Sequence, residues 1–140
     1  MSLYVLDSDI MCLLQEGHPR VEARVAQCAQ GEVTISVITV DEQLRGWFSL
    51  VRRAKKPKQI AFAYDQLARS VADLSKIRVL SFSESAIERF TGFQRAKLGV
   101  KANDLRIAAI ALQHQATVVT RNLHDFKCIP GLCVEDWSTN

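Results

Sequence analysis

Short apolar runs alternate along the chain with longer stretches in which apolar residues recur every three or four positions. The short runs predict buried strands at residues 3–6, in at least the first half of 33–40, and at 79–82, 117–120 and 132–134. The longer stretches predict helices at residues 8–14, 21–28, 57–74, 83–99 and 103–112, with a further helix that opens at Asp41.

This alternation predicts a three-layer α/β fold, in which helices flank a central parallel β-sheet of four to five strands. The 140 residues contain no repeat or linker, so a single domain over residues 1–140 is expected. In such folds the site lies beyond the carboxyl ends of the strands, near the point where the strand order reverses. Polar residues that directly follow a strand are therefore the first candidates for function.

Composition narrows the class of protein. Hydrophobic residues make up 48% and charged residues 24% of the chain, as in ordinary globular proteins. No apolar run approaches the roughly 20 residues of a membrane span, and Asp7 comes too early for a signal peptide. We therefore expect a cytoplasmic protein without a membrane partner. The four cysteines lack zinc-binding spacing and are expected to be reduced and structural.

The net charge of +3 is compatible with a polyanionic partner, and its distribution is more informative than its size. Basic residues form two clusters, Arg45–Lys58 and Arg95–Lys101. Each cluster alone is typical of a solvated helix face. Beside an acidic site, the two together indicate a path for a phosphate backbone.

Four acidic residues fall where a strand gives way to a helix or turn. Asp7 ends the first strand, Glu42 follows the β-branched run, Asp104 heads an apolar helix, and Asp125 lies in the turn after the last clear strand. Each acid alone fits a cap or turn, but these positions converge in a parallel sheet. Crowded carboxylates repel each other, and a hard cation such as Mg²⁺ or Mn²⁺ resolves the repulsion. Such a site suits phosphodiester hydrolysis.

The chain resembles PIN-domain proteins, and among them the VapC-type toxins of bacterial toxin–antitoxin pairs. Five segments carry the resemblance, in the family's order and spacing. They are LDSDI at 6–10, ISVITVDEQLRG at 35–46, NDLRIAA at 103–109, VTRNLHDF at 119–126 and VEDW at 134–137.

The resemblance implies a ribonuclease that uses Mg²⁺ or Mn²⁺, with Asp7, Glu42 and Asp104 as its core acidic ligands. The fourth acidic position is either Asp125 or the position of Asn122. The other implied catalytic group is the Thr120 hydroxyl, which would orient a carboxylate or a water.

Two neighbouring acids are less clearly placed by the resemblance. Asp9 stands where the family usually has Asn, and it either adds a ligand or caps the following helix. Asp41 is expected to point away from Glu42 and to act as a cap.

The resemblance also implies partners: an RNA substrate, with tRNA and rRNA among the family's targets, a homodimer, and a small VapB-like antitoxin. The antitoxin would occupy a groove near the acids. Its walls are sought on the long helices that carry Trp47, Phe48, Phe62 and Tyr64, although ordinary core packing explains these residues equally well.

Other functions fit parts of the same pattern. A catalytically inactive PIN-like RNA- or protein-binding module fits the deviations at Asp9 and Asn122, but the three core acids count against it. A DNA-directed nuclease would use the same chemistry. A phospho-acceptor regulatory domain would need a Lys where Arg121 stands and would leave Glu42 without a role.

Overall fold

A computed structural model describes residues 2–139, so Met1 and Asn140, at the two ends of the predicted domain, lie outside the described residues. Five strands form one sheet, and all four pairings between neighbouring strands are parallel. The strands are β1 (Tyr4–Leu6), β2 (Val33–Ser36), β3 (Arg78–Leu80), β4 (Thr117–Val119) and β5 (Cys133–Glu135). The predicted fold class is thereby confirmed.

Helices cover both faces of this sheet. In chain order they are α1 (Ser8–Gln15), α2 (Pro19–Gln27), α3 (Val37–Arg53), α4 (Pro57–Leu74), α5 (Glu84–Arg95), α6 (Ala102–Gln113) and α7 (Leu123–Phe126). Within residues 2–139, no helix combines the length and apolar character that a membrane span requires.

The strand order is β3-β2-β1-β4-β5, which puts the first strand at the centre of the sheet. The chain moves outward from β1 through β2 to β3, and then returns to the other side of β1 to form β4. Leu6 is consequently paired with Ile35 on one side and with Val119 on the other. The strand order reverses between β1 and β4, so the residues after Leu6 and Val119 lie at the switch point.

Side chains from alternating strand residues pack into two separate hydrophobic cores, one on each face of the sheet. Val5 and Val118 pack with α5 and α6, whereas Leu6 and Val119 pack with α1 and α2. Since successive side chains of a strand point to opposite faces, three-residue strands are enough to anchor both helical layers. The short apolar runs of the sequence are therefore buried on both sides.

The start of α3 differs from the sequence prediction. A strand in at least the first half of residues 33–40 was expected, and β2 (Val33–Ser36) confirms it. The helix that was expected to open at Asp41 begins instead at Val37. The Ser36 hydroxyl accepts a hydrogen bond from the Thr39 backbone N–H at 3.4 Å. A cap and the burial of Ile38 and Thr39 outweigh the β-propensity of this run.

Three smaller expectations also need correction. Asp41 is not a cap, because its carboxylate accepts a hydrogen bond from Arg45 Nε at 2.8 Å within the helix. The polar turn after β4 contains the short helix α7. All four cysteines are free, as expected, but Cys12 is exposed and does not pack as a core residue.

The C-terminal segment is tied to the fold by Trp137, which is only 3% exposed. Its ring centroid lies 5.0 Å from that of Tyr4, and its Nε1 donates to Glu135 Oε1 at 2.9 Å. The guanidinium carbon of Arg24 lies 4.9 Å from the same centroid. These contacts fasten β5 to the central strand and to α2.

Replacement of Trp137 by Ala is expected to lower the free energy of unfolding by about 3–5 kcal/mol, because it opens a cavity in a packed core. Phe62→Ala is the matched control, since Phe62 is 55% exposed and its loss should cost no more than about 0.5 kcal/mol. Urea denaturation followed by circular dichroism measures both. Equal losses in the two variants would contradict the packing described for Trp137.

Candidate active site

A cleft of about 600 Å³ lies beyond the carboxyl ends of the central strands. It brings together side chains that are far apart in the sequence, and five of them were considered as candidate site residues in the sequence analysis. The lining residues are Asp7, Ser8, Asp9, Glu42, Lys101, Ala102, Asn103, Asp104 and Asn122.

Asp7 is the most buried acid of the cleft, with 8% of its surface exposed. Its Oδ1 accepts a hydrogen bond from the Ser8 backbone N–H, and its Oδ2 accepts one from the Thr120 hydroxyl, both at 2.8 Å. Thr120 is fully buried, and its hydroxyl also accepts the Asn122 N–H at 2.9 Å. Because Asp7 and Thr120 follow adjacent strands at the switch point, the sheet itself fixes this contact.

Glu42 reaches the cleft from α3 and is exposed. The Ser8 hydroxyl donates to its Oε1 at 2.7 Å and lies 3.0 Å from the Thr39 hydroxyl. Since Thr39 and Glu42 are three residues apart on one helix, they lie on the same face, and Ser8 bridges them. The start of α3 at Val37 therefore decides where the Glu42 carboxylate lies.

Asp104 is the third residue of α6 and lies in its first turn. Partial burial raises the pKa of this carboxyl above its ordinary value, and the negative charges of Asp125 and Glu42 raise it further. Lys101, which also lines the cleft, acts in the opposite direction. The apolar helix behind Asp104 is a rigid support for this acid.

The two residues considered for the fourth acidic position are in direct contact. Asn122 lines the cleft, and its Nδ2 donates to Asp125 Oδ2 at 2.9 Å. Asp125 is half-buried and lies outside the cleft lining, although its charge reaches Asp104. The structure thus places the amide at the cleft and the carboxylate behind it.

Asp9 differs from the other acids because it faces a fixed cation. Its Oδ1 accepts the Ile10 backbone N–H at 2.7 Å, but Asp9 is not the cap considered from the sequence, because Asp7 is the N-cap of α1 and Asp9 lies in the first turn of the helix. Its Oδ2 accepts both the backbone N–H and Nε of Arg121 at 3.3 Å. This ion pair joins the start of α1 to the segment that follows β4.

Burial raises the pKa of Asp7 to about 7, and the negative charge of Asp9 is the next largest cause. The hydrogen bonds from Thr120 and Ser8 lower this pKa but do not cancel the effect of burial. At neutral pH, the nearby groups therefore do not supply enough positive charge to stabilise an ionised carboxylate in this position. The site would gain from a bound cation.

The donor set of the cleft is suited to a hard cation, since its carboxylate and amide oxygens are ligands that Mg²⁺ and Mn²⁺ accept. Among residues 2–139, however, no three Asp, Glu, His or Cys side chains are grouped tightly enough to hold an ion alone. Mg²⁺ commonly keeps several waters and uses only one or two carboxylates. The residues therefore fit a hydrated ion and not an all-protein cage.

Ser8, Thr39, Lys101 and Arg121 belong to the site but were not assigned to it from the sequence. Ser8 and Arg121 were discoverable in principle, because each lies two residues beyond the end of a strand, and the two strands are neighbours in the sheet. Thr39 was missed because it lies in the β-branched second half of the run at 33–40, before the predicted helix start at Asp41. Lys101 was grouped with surface charges, since nothing in the sequence joins it to the cleft.

The match to protein families covers residues 4–131 of the chain and is described as PIN domain. The chain belongs to the PIN domain family. Ribonuclease VapC2 of Rickettsia felis is 29% identical to this PIN domain over 141 residues, covering 96% of this chain and 98% of the relative. The tRNA(fMet)-specific endonuclease VapC of Shigella flexneri is 27% identical, covering 99% and 100%.

A solved toxin–antitoxin complex from Klebsiella pneumoniae contains a chain similar to this PIN domain. The TM-score is 0.69 at 27% sequence identity, with 94% of this chain and 95% of that chain covered. The predicted membership of the PIN-domain, VapC-type proteins is confirmed by these likenesses.

Asp7→Asn is expected to stabilise the PIN domain at neutral and alkaline pH when divalent cations are removed by EDTA. The folded-state pKa of about 7 lies above the ordinary value of 3.8 for this carboxyl, so wild-type stability falls as the pH rises between these values. The variant lacks this loss, which is on the order of 2–4 kcal/mol at about 1.36 kcal/mol per pKa unit.

Thermal unfolding of both proteins at about pH 4 and about pH 8 measures this difference. The variant should melt several degrees higher than the wild type at the alkaline pH and close to it at the acidic pH. An equal difference at both pH values would show that the buried charge of Asp7 is not its cause.

Proposed function

We propose that this PIN domain is a metal-dependent endoribonuclease, the toxin of a VapBC-type toxin–antitoxin pair. The observation that carries the proposal is the meeting of Asp7, Glu42 and Asp104 in one cleft at the switch point of the sheet. RNA is proposed as the substrate because the relatives from Rickettsia felis and Shigella flexneri are named as a ribonuclease and a tRNA-specific endonuclease.

Asp7, Glu42 and Asp104 are the residues proposed to hold Mg²⁺ or Mn²⁺, with Asn122 or Asp125 at the fourth position. The contact between Asn122 and Asp125 supports a shared role, in which Asp125 orients the amide that lines the cleft. When bound, the metal supplies Lewis-acid activation of water and of the phosphodiester. Its affinity for the site would rise with pH as the carboxyl protons of Asp7 and Asp104 leave.

The hydroxyl groups of the site hold the acids in place. Thr120 donates to Asp7 and Ser8 donates to Glu42, so both carboxylates are oriented before any ligand arrives. These neutral donors leave the negative charge of the acids intact. Such preorganised oxygen atoms favour a cation over a protonated or splayed arrangement.

Wild-type protein is expected to cleave mixed cellular RNA with Mg²⁺ or Mn²⁺ and to lose this activity in EDTA. Asp7→Asn and Asp104→Asn should each lower cleavage by at least about 100-fold, because each removes charge that the metal requires. Asp65→Asn is the matched control, since Asp65 is an exposed residue of α4 outside the cleft. Gel analysis of the RNA measures all four proteins.

Four outcomes would count against this proposal. Cleavage that persists in EDTA would refute the metal requirement, and unchanged cleavage by Asp7→Asn would refute the assigned site. Cleavage of DNA without cleavage of RNA would favour a DNA-directed nuclease. Well-folded protein that binds RNA but cleaves neither polymer would favour the inactive binding module.

An antitoxin is proposed as the protein partner because the neighbour from Klebsiella pneumoniae is a toxin–antitoxin complex. A groove of about 440 Å³ runs from Ser8 and Glu42 along α3 to Trp47 and Leu50. Phe48, 45% exposed, leaves more apolar surface on the same helix. An antitoxin segment in this groove would reach the cleft. Homodimer formation stays a prediction from the family resemblance.

Expression of the wild-type gene is expected to arrest bacterial growth, and co-expression of a small protein encoded directly beside it should restore growth. Expression of Asp104→Asn should not arrest growth, because the arrest is proposed to come from RNA cleavage. Colony counts after induction measure these effects. Growth arrest by the variant at equal protein level would show that toxicity does not depend on the cleft.

A further inference from the structure

Arg121 is held beside the cleft by two hydrogen bonds to a single oxygen atom. Its backbone N–H and its Nε both donate to Asp9 Oδ2 at 3.3 Å. Asp9 is itself fixed at the start of α1, where its Oδ1 accepts the Ile10 N–H at 2.7 Å. One carboxylate oxygen thus holds both the backbone and the guanidinium of Arg121, although Arg121 belongs to a segment between β4 and α7.

The ion pair between Asp9 and Arg121 contributes little to the stability of the fold. The Arg121 side chain is 53% exposed and that of Asp9 is 27% exposed, and exposed ion pairs contribute only about 0–1 kcal/mol. The position of the pair is more informative, since Asp9 and Asn122, the next residue after Arg121, both line the cleft. The arginine therefore lies at the edge of the proposed catalytic site.

The acidic lining of the cleft repels a polyanionic substrate, and a nearby positive charge such as that of Arg121 would reduce this repulsion. Its lining carries the carboxylates of Asp7, Asp9, Glu42 and Asp104 but only one cationic side chain, that of Lys101. A polyanion has to approach this surface, and even a bound divalent ion would leave the lining without excess positive charge. A second oriented cation next to the cleft would lower the repulsion.

The chemistry of arginine suits this task. The bond to Asp9 uses Nε, so the two terminal amino groups remain as a planar pair of donors that matches two oxygens of a phosphate. A lysine could supply the charge but not the paired donors. The Asp9 carboxylate, with hydrogen bonds to both of its oxygens, is already committed to aligning this group.

We propose that Arg121 contacts a phosphate of the bound RNA beside the scissile bond, and that Asp9 is a positioning residue for Arg121 and not a further metal ligand. This inference rests on the proposed ribonuclease function. It assigns Asp9 a role in RNA binding that acts through the guanidinium, and that dependence is measurable.

A double-mutant cycle tests the proposal on an RNA that the wild type cleaves. Arg121→Gln should lower kcat/KM by about 10- to 100-fold, as expected for a lost hydrogen bond to a charged group, mainly by raising KM. The dependence of log KM on log salt concentration should become shallower by about 0.7, the contribution of one phosphate contact.

Asp9→Asn should cause a smaller loss than Arg121→Gln, and it should cause no additional loss when Arg121 is already Gln. A metal ligand would behave differently, because its loss would add to that of Arg121 in the double variant. Arg121→Lys should keep the salt dependence of the wild type and recover only part of kcat/KM, since it keeps the charge without the paired donors.

Two controls separate this contact from general effects of charge and folding. Arg20→Gln removes one positive charge from an exposed position on α2, outside the cleft lining, and should leave KM unchanged. Filter binding of the RNA in an Asp104→Asn background, where cleavage is suppressed, gives the affinity loss for Arg121→Gln without turnover. Thermal melts confirm that each variant is folded.

The outcomes distinguish this inference from the function beneath it. If the wild type cleaves RNA and Arg121→Gln matches it in KM and salt dependence, the phosphate contact is overturned while the ribonuclease stands. If Asp9→Asn lowers activity equally with and without Arg121, the positioning role is overturned. A folded wild type that cleaves no RNA with Mg²⁺ or Mn²⁺ overturns both proposals.

Discussion

The crowding of carboxylates around a buried Asp7 is the constraint on which the rest of the site depends. The central position of β1 places this acid between two parallel neighbours, where only 8% of it remains exposed. Burial and the nearby charge of Asp9 raise its pKa to about 7. The fold thus holds an acid where its charge is costly, and a structure with no use for that charge gains nothing from this arrangement.

Neutral donors and one cation distinguish three of the acids that line the cleft. Asp7 and Glu42 receive hydroxyl groups from Thr120 and Ser8, which orient the carboxylates without removing their charge. Asp9 is instead paired with the guanidinium of Arg121. Asp7 and Glu42 keep the charge that a divalent cation needs, whereas Asp9 connects the cleft to a donor suited to phosphate. Both arrangements arise at the carboxyl ends of adjacent strands.

The position at which α3 begins controls where the Glu42 carboxylate lies. Capping by Ser36 starts the helix at Val37, which brings Thr39 and Glu42 onto one face. The Ser8 hydroxyl can then contact both side chains. A helix that started at Asp41 would leave Thr39 outside the helix, so Thr39 and Glu42 would no longer lie three residues apart on one helical face. A local choice between strand and helix therefore decides how an active-site carboxylate is held.

Much of the fold was predictable from the sequence because its strands and helices carry strong and different apolar periods. The apolar runs at residues 3–6 and 117–120 predicted buried strands, and the alternation of strands and helices indicated a parallel sheet. The positions of Asp7 and Asp104 as cleft residues followed from the same pattern. The predicted helix start at Asp41 was four residues too late, since the helical form of the β-branched residues 37–40 depends on a cap and on burial against other elements.

The sequence by itself determined which residue types stand at the ends of the elements, because local spacing fixes periodicity and caps. Tertiary structure alone decided which of those ends meet. Strand order puts Asp7 beside Thr120, helix packing brings Ser8 to Glu42, and the return of the chain to β4 joins Asp9 to Arg121. These partners are tens of residues apart, and only the burial of two cores on one twisted sheet brings them within hydrogen-bond distance.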